Sequence, residues 1–265
     1  MKHTILWLLA AALLSTGCGG NADPEQEIPE IMTAKPTVKK DLSVSSTAMS
    51  SPVKYSIWLP PTYDESKTYP VLYLLHGYEW DVSTAHNGWL EKGSLSSIAT
   101  QYVRNGGELF IIVTPNCPND FYRDNGPGDN YETFFIKDFI PFIEKTYHGN
   151  GKRAIAGLSM GGYGTLLQGF SHPEMFTYMY AMSPATGDEI KTAVNKADTG
   201  KLPKITIETG TNDMTVSLAS VQDFANYLQD RGIIFEFITR SGGHDWNFWQ
   251  GCIKTALPQI GKSFK

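Results

Sequence analysis

Short, nearly unbroken apolar runs alternate along the chain with longer segments in which apolar residues recur every three or four positions. YPVLYLL at 69–75 is hydrophobic almost throughout, the pattern of a strand buried on both faces. LFIIVT at 109–114 reads the same way and is halted by Pro115. Ahead of both, residues alternate at 39–46 and in KYSIWL at 54–59, which predicts two paired strands ended by Pro60-Pro61. Further strands are predicted at 153–156, 178–182, 204–208 and 233–239. Helices are predicted at 91–104, 131–147, 162–170, 216–231 and 245–257, the second with Phe134, Phe135, Phe139, Phe142 and Ile143 at helical spacing. Strands alternating with helices predict an α/β fold with a mostly parallel sheet, right-handed crossovers and helices on both faces. The alternating segments at its N-terminal end predict antiparallel strands there.

The first eighteen residues depart from this pattern. Lys2 and His3 precede an apolar run at 5–14 that is too short to span a bilayer, which matches a signal-peptide core. Ser15-Thr16-Gly17-Cys18 places a small residue before a cysteine and resembles a lipobox, so Cys18 is expected to be the lipidated first residue of an exported protein. Ser15 stands where such motifs usually carry Leu, and a plain cleaved signal followed by secretion stays open. Residues 19–36 are acidic, contain Gly and Pro and lack periodicity, the composition of a flexible tether. One domain is expected over 37–265. Membrane contact is expected only through the anchor, on the periplasmic side or at the cell surface.

Composition narrows the classes. With 265 residues, 41% of them hydrophobic, the chain can bury one substantial core. A net charge of −5 with no basic tract disfavours nucleic acid as a partner. No CxxC pair or spaced His/Cys set points to a metal, and the chemistry below calls for no cofactor. Cys117 and Cys252 could pair outside the cytoplasm or stay separate.

Gly157-Leu158-Ser159-Met160-Gly161 matches G-x-S-x-G and follows a short apolar strand ahead of a helix-compatible stretch. That pattern makes a sharp turn in which the glycines admit neighbouring backbone and the serine stands exposed above the sheet. The helix start aims its free amides at negative charge developing beside the serine. Among six histidines, His244 lies in Ser-Gly-Gly-His just beyond a predicted strand and after the serine, where a general base belongs. Asp213, in Gly-Thr-Asn-Asp beyond the strand at 204–208, is the favoured orienting acid, and Asp188 on another post-strand loop is its rival. Asp245 reads as a helix cap, and Glu208 as a surface charge on a strand. The oxyanion donors are expected to be the amides of Met160 and of Tyr78, after His76-Gly77. His76 itself reads as a positional hydrogen-bond partner or a pocket residue. Tyr78, Trp80, Trp89, Phe121, Tyr122, Tyr163 and Trp246 could line an acyl or sugar pocket, with ordinary packing as the alternative for each.

Four motifs together, YPVLYLLHG at 69–77, AIAGLSMGG at 154–162, GTND at 210–213 and GGHDW at 242–246, resemble the esterase D-like family of α/β hydrolases. That group includes feruloyl esterases, acetyl xylan esterases, S-formylglutathione hydrolases and mycolyltransferases. The resemblance implies the α/β-hydrolase fold and a Ser159/Asp213/His244 esterase with Tyr78 and Met160 amides at the oxyanion. It looks closest to carbohydrate esterases that remove feruloyl or acetyl groups from plant polysaccharide. Relatives often continue with further glycines after the histidine-glycine pair, whereas this chain reads Tyr78-Glu79-Trp80-Asp81. The expected partner is a small acyl ester or an esterified oligosaccharide. Another acyl substrate, such as a siderophore lactone, is the alternative within the enzyme class. An inactive glycan-binding lipoprotein is the alternative outside it.

Overall fold

A computed structural model describes residues 29–265, so the predicted signal segment, Cys18 and most of the predicted tether lie outside the described residues. Within them, β1 (Thr37–Val44), β2 (Val53–Leu59), β3 (Tyr69–Leu75), β4 (Ile111–Pro115), β5 (Gly149–Leu158), β6 (Tyr178–Met182), β7 (Lys204–Gly210) and β8 (Glu236–Arg240) form one sheet. Its order is β1-β2-β4-β3-β5-β6-β7-β8. The β1–β2 and β2–β4 pairs are antiparallel, and every other pair is parallel. Successive strands step to one side of β3 and then, from β5 onward, to the other. The carboxyl ends of β3 and β5 therefore meet where the direction of winding changes, the place where open α/β sheets bind ligands.

The helices are α1 (Glu30–Thr33), α2 (Gly88–Glu91), α3 (Leu95–Arg104), α4 (Tyr131–Phe134), α5 (Ile140–Thr146), α6 (Met160–Ser171), α7 (Asp188–Lys196), α8 (Leu218–Gln229) and α9 (Trp246–Ser263). They cover both faces of the sheet. Val71, Tyr73 and Leu75 of β3 face a core shared with α4 to α8, and Leu72 and Leu74 face a second core built with α3 and α9. Both faces of β3 are thus dry, which is why its sequence does not alternate. Truncating such a side chain, Leu72→Ala for example, costs about 2–5 kcal/mol.

Several expectations are corrected. The predicted helix at 131–147 is α4 and α5 joined through a π-helical turn, Phe135–Phe139. The last predicted strand begins later, at Glu236, and Ile234 is exposed. Asp188 opens α7 rather than sitting in a loop; Ile190, Ala193 and Val194 give this nine-residue helix its buried stripe. The end of the predicted tether is docked: α1 packs Ile31 against the α3/α9 core, and Arg104 donates to the Ala34 carbonyl at 3.3 Å. Cys117 and Cys252 are both free and buried, in the cores on opposite faces of the sheet, so they do not pair.

Candidate active site

β5 ends at Leu158 and α6 begins at Met160, leaving Ser159 alone in the turn with φ 52° and ψ −116°. A residue with a Cβ pays strain there, and the surrounding bonds hold it in place. Its N–H donates to Met182 O at 2.9 Å, and its carbonyl accepts from Tyr163 N at 3.0 Å and Ala185 N at 3.2 Å. Gly161 is required by close approach: a Cβ there would lie 2.5 Å from the His76 carbonyl oxygen.

The loops after β7 and β8 prolong the strand pairing. Thr211 N donates to Arg240 O at 2.9 Å and Asn212 N to Gly242 O at 3.0 Å, which brings residue 213 beside residue 244. His244 Nδ1 lies 2.7 Å from Asp213 Oδ2, and its Nε2 lies 2.9 Å from Ser159 Oγ. A carboxylate only accepts, so the ring proton sits on Nδ1 and the Nε2 lone pair faces the serine hydroxyl. The Asp213 carboxylate is buried, and its second oxygen accepts from Thr215 N at 2.9 Å and Val216 N at 2.8 Å. Asp245 caps α9, accepting from Phe248 N at 3.0 Å. One turn into α9, Trp249 packs against the imidazole of His244, ring centroids 4.9 Å apart.

Asp188, the rival acid, has a side chain 99% exposed, and its one ion-pair partner among the described residues is Lys191, at 3.7 Å. Glu208 is also not what the sequence suggested. It is fully buried, accepting from Tyr180 Oη at 2.5 Å and paired with Arg240 Nε at 2.5 Å. Arg240 comes from the neighbouring strand and supplies the partner a buried carboxylate needs.

Met160 follows Ser159 directly, and a Cβ on Gly77 would lie 3.4 Å from Ser159 Cβ, so the loop that carries Tyr78 runs beside the serine. Among the described residues no protein acceptor takes the N–H of Met160 or of Tyr78. Met160 opens α6, where amides have no intrahelical partner. The predicted pocket residues divide. Tyr78 and Trp80 expose their rings, Trp80 to 96%, and Trp246 is half-buried, edge-on to Trp89 at 5.4 Å. Phe121 is half-buried against Tyr163. His76, Trp89 and Tyr122 are almost fully buried, and each gives a polar atom to a backbone group of the 75–77 segment. Tyr163 is buried too, and its hydroxyl donates to the Glu189 carboxylate. That bond and the Arg123 guanidinium hold Glu189 below the usual carboxylate range. Burial pushes His76 down to about 4 and raises the Cys117 thiol well above its ordinary range. Sequence reasoning missed Asn119, Trp249 and the Arg123–Glu189 pair. Of these only Trp249 carried a local signal, one helical turn beyond the Asp245 cap. Among the described residues no group of three or more His, Cys, Asp or Glu side chains is arranged to hold a metal ion.

Residues 46–260 match the Esterase family model, described as "Putative esterase". The chain belongs to this esterase family. An acetyl esterase from Caldicellulosiruptor saccharolyticus is 27% identical over 239 residues, 75% of this chain and 85% of that protein. An endo-1,4-beta-xylanase/feruloyl esterase from Xylanibacter ruminicola is 29% identical over 224 residues, 78% of this chain but only 29% of that protein's length. Among solved structures, a ferulic acid esterase superposes with a TM-score of 0.77 at 31% identity, covering 88% of this chain and 100% of its own. A CE1 ferulic acid esterase from Anaeromyces mucronatus, solved with ferulic acid, shares the fold with a TM-score of 0.73 at 24% identity, over 92% of this chain and 95% of that one. This esterase is a serine hydrolase of the α/β-hydrolase fold, with antiparallel strands at its N-terminal side as the sequence predicted.

Proposed function

We propose that the esterase removes feruloyl or acetyl groups from plant polysaccharide through an acyl-enzyme on Ser159. One observation carries the chemistry: the unbroken chain of hydrogen bonds from Ser159 Oγ through His244 to Asp213, at 2.9 and 2.7 Å. Ser159 Oγ attacks the ester carbonyl carbon while its proton passes to His244 Nε2. Asp213 keeps the Nδ1 proton in place and stabilises the imidazolium. The Tyr78 and Met160 amides receive the oxyanion, each such donor being worth about 3–4 kcal/mol in the transition state. The bond to the alkoxy oxygen breaks as His244 returns its proton to that oxygen, and the alcohol, here a sugar hydroxyl, departs. Water then attacks the acyl-serine, giving its proton to His244. The acyl bond breaks as His244 returns that proton to Ser159 Oγ, which restores the hydroxyl and releases ferulate or acetate.

The acyl and sugar assignment is supported by the acetyl and feruloyl esterases that the chain is similar to. Hydrolysis of p-nitrophenyl acetate tests the chemistry: Ser159→Ala removes nearly all turnover, and unchanged turnover rejects the nucleophile. Methyl ferulate, acetylated xylan and a siderophore trilactone test the substrate. The first two are expected to be cleaved, and activity on the trilactone alone rejects the polysaccharide reading. Export with a lipid on Cys18 completes the proposal, supported by the residue pattern at 2–18. Metabolic labelling with a palmitate analogue is expected to mark the parent and not Cys18→Ser; an unmarked, released parent indicates plain secretion.

A further inference from the structure

A backbone N–H points wherever its peptide plane points, so the use of the Tyr78 amide requires that something fix the plane between Gly77 and Tyr78. Leu75, His76 and Gly77 follow one another at the end of β3, and each carbonyl is engaged by a different buried side chain. Trp89 Nε1 donates to Leu75 O at 3.0 Å, Tyr122 Oη donates to His76 O at 2.8 Å, and His76 Nδ1 meets Gly77 O at 2.7 Å. His76 Nε2 accepts the Cys117 N–H at 2.9 Å, so the ring proton lies on Nδ1 and is given to the Gly77 carbonyl. Two residues further on, Asn119 holds both backbone groups of Glu79, accepting from its N–H at 3.2 Å and donating to its carbonyl at 2.8 Å. A trans peptide is planar with C=O and N–H antiparallel, and no peptide bond among the described residues is cis. Binding the Gly77 carbonyl to the buried imidazole therefore turns the Tyr78 N–H the opposite way, out of the buried layer.

Tyr122 joins this loop to the nucleophile helix. Phe121 and Tyr122 stand in succession at φ 65° and 62°, a left-handed pair that bulky residues avoid. Asp120 Oδ1 accepts from Tyr122 N at 3.2 Å, and Gln168 of α6 donates to its carbonyl at 2.9 Å. The Tyr122 ring fills the space beside Gly164 of α6, where a Cβ would come within 2.5 Å of it. One side chain thus touches α6 with its ring and the 75–79 loop with its hydroxyl.

We propose that Tyr122 is a positioning residue that couples α6 to the 75–79 loop and, with His76 and Trp89, sets the aim of the Tyr78 amide. The proposal rests on Ser159 as nucleophile and the Tyr78 amide as oxyanion donor. Its signature is a loss in the transition state without a loss in substrate binding.

The test uses the purified protein, p-nitrophenyl acetate, and an aryl trifluoromethyl ketone, which adds reversibly to a nucleophilic serine and leaves its oxyanion in the hole. Tyr122→Phe deletes one oxygen atom. It is expected to lower kcat about 10-fold with KM within about twofold, and to weaken the ketone by the same factor. His76→Asn keeps a donor at the Nδ1 position, and His76→Gln moves the amide to the Nε2 position. The Gln variant is expected to lose about 10-fold more kcat than the Asn variant. A folded Tyr122→Phe protein with unchanged kcat and ketone affinity, or with only KM altered, overturns the proposal. Should Tyr122→Phe fail to fold, equal kcat in the two His76 variants overturns it instead. A parent that binds no ketone, with Ser159→Ala turning over normally, overturns the nucleophile assignment and the proposal together.

Discussion

On one side of Ser159, Asp213 and His244 arrive on loops that directly follow two neighbouring strands, and backbone bonds between those loops bring them together. On the other side, the 75–79 loop takes its shape from groups far away in the chain. Trp89 is 14 residues from the carbonyl it holds, Asn119 is 40 from Glu79, and Tyr122 is 46 from His76. The acid–base side holds a buried carboxylate and a partly buried imidazole on short loops, while the oxyanion side is a frame of buried aromatic and amide groups. Proton transfer needs groups with the right acidity within reach of each other. Charge stabilisation also needs donors that do not have to reorganise, and that rigidity comes from packing.

The largest expected effect separates the two acids. Asp213→Asn lowers kcat on p-nitrophenyl acetate by roughly 10⁴-fold, because the neutral amide no longer enforces the tautomer. Asp188→Asn leaves kcat within about twofold, and a larger loss there would transfer the role to it.

The next effect belongs to the oxyanion side and appears in stability. Burial depresses His76 to about 4 in the folded chain, against about 6.5 when unfolded. The neutral ring is the one the fold accepts, so its contribution is complete above pH 6.5 and declines as pH falls toward 4. The loss is on the order of 3 kcal/mol. Denaturant unfolding at pH 7 and pH 4 is expected to show His76→Asn losing less stability than the parent by about that amount. Equal losses would show that the ring is not held neutral.

The smallest effect is expected to be nil. A disulfide worth about 2–4 kcal/mol would move the melting midpoint by roughly 4–16 °C on reduction. Cys117 and Cys252 lie on opposite faces of the sheet, so a reducing agent should leave the midpoint unchanged. A drop of several degrees would contradict the two-core arrangement.

The same contrast explains what could be read from the sequence. Tyr69–Leu75 and Tyr178–Met182 match their predicted strands residue for residue, because burial on both faces writes itself as a continuous apolar run. That Ser159, Asp213 and His244 meet was legible because each lies within four residues of a strand's end and the G-x-S-x-G spacing marks the turn. Where tertiary packing overrides local preference, the structure departs from the local pattern. α9 continues to Ser263 through Pro258, since Leu257, Ile260 and Gly261 remain buried against the core despite the missing N–H. His76 is the buried hydrogen-bond partner that its place before Gly77 suggests, whereas Trp89 and Tyr122 offered a pocket reading beside ordinary packing, because aromatic groups near a nucleophile invite both. Only the fold reveals that each polar atom is committed to a backbone group. Glu208 looked exposed because its partner, Arg240, comes from the next strand in space.

In the proposed mechanism Ser159, activated through His244, becomes the acylated residue. Treatment with an aryl fluorophosphonate followed by intact-mass and peptide analysis tests it most directly. One adduct per chain is expected, on Ser159, rising in step with loss of esterase activity, with slow labelling in His244→Ala. An adduct on another residue, or full activity in a stoichiometrically labelled protein, would contradict it.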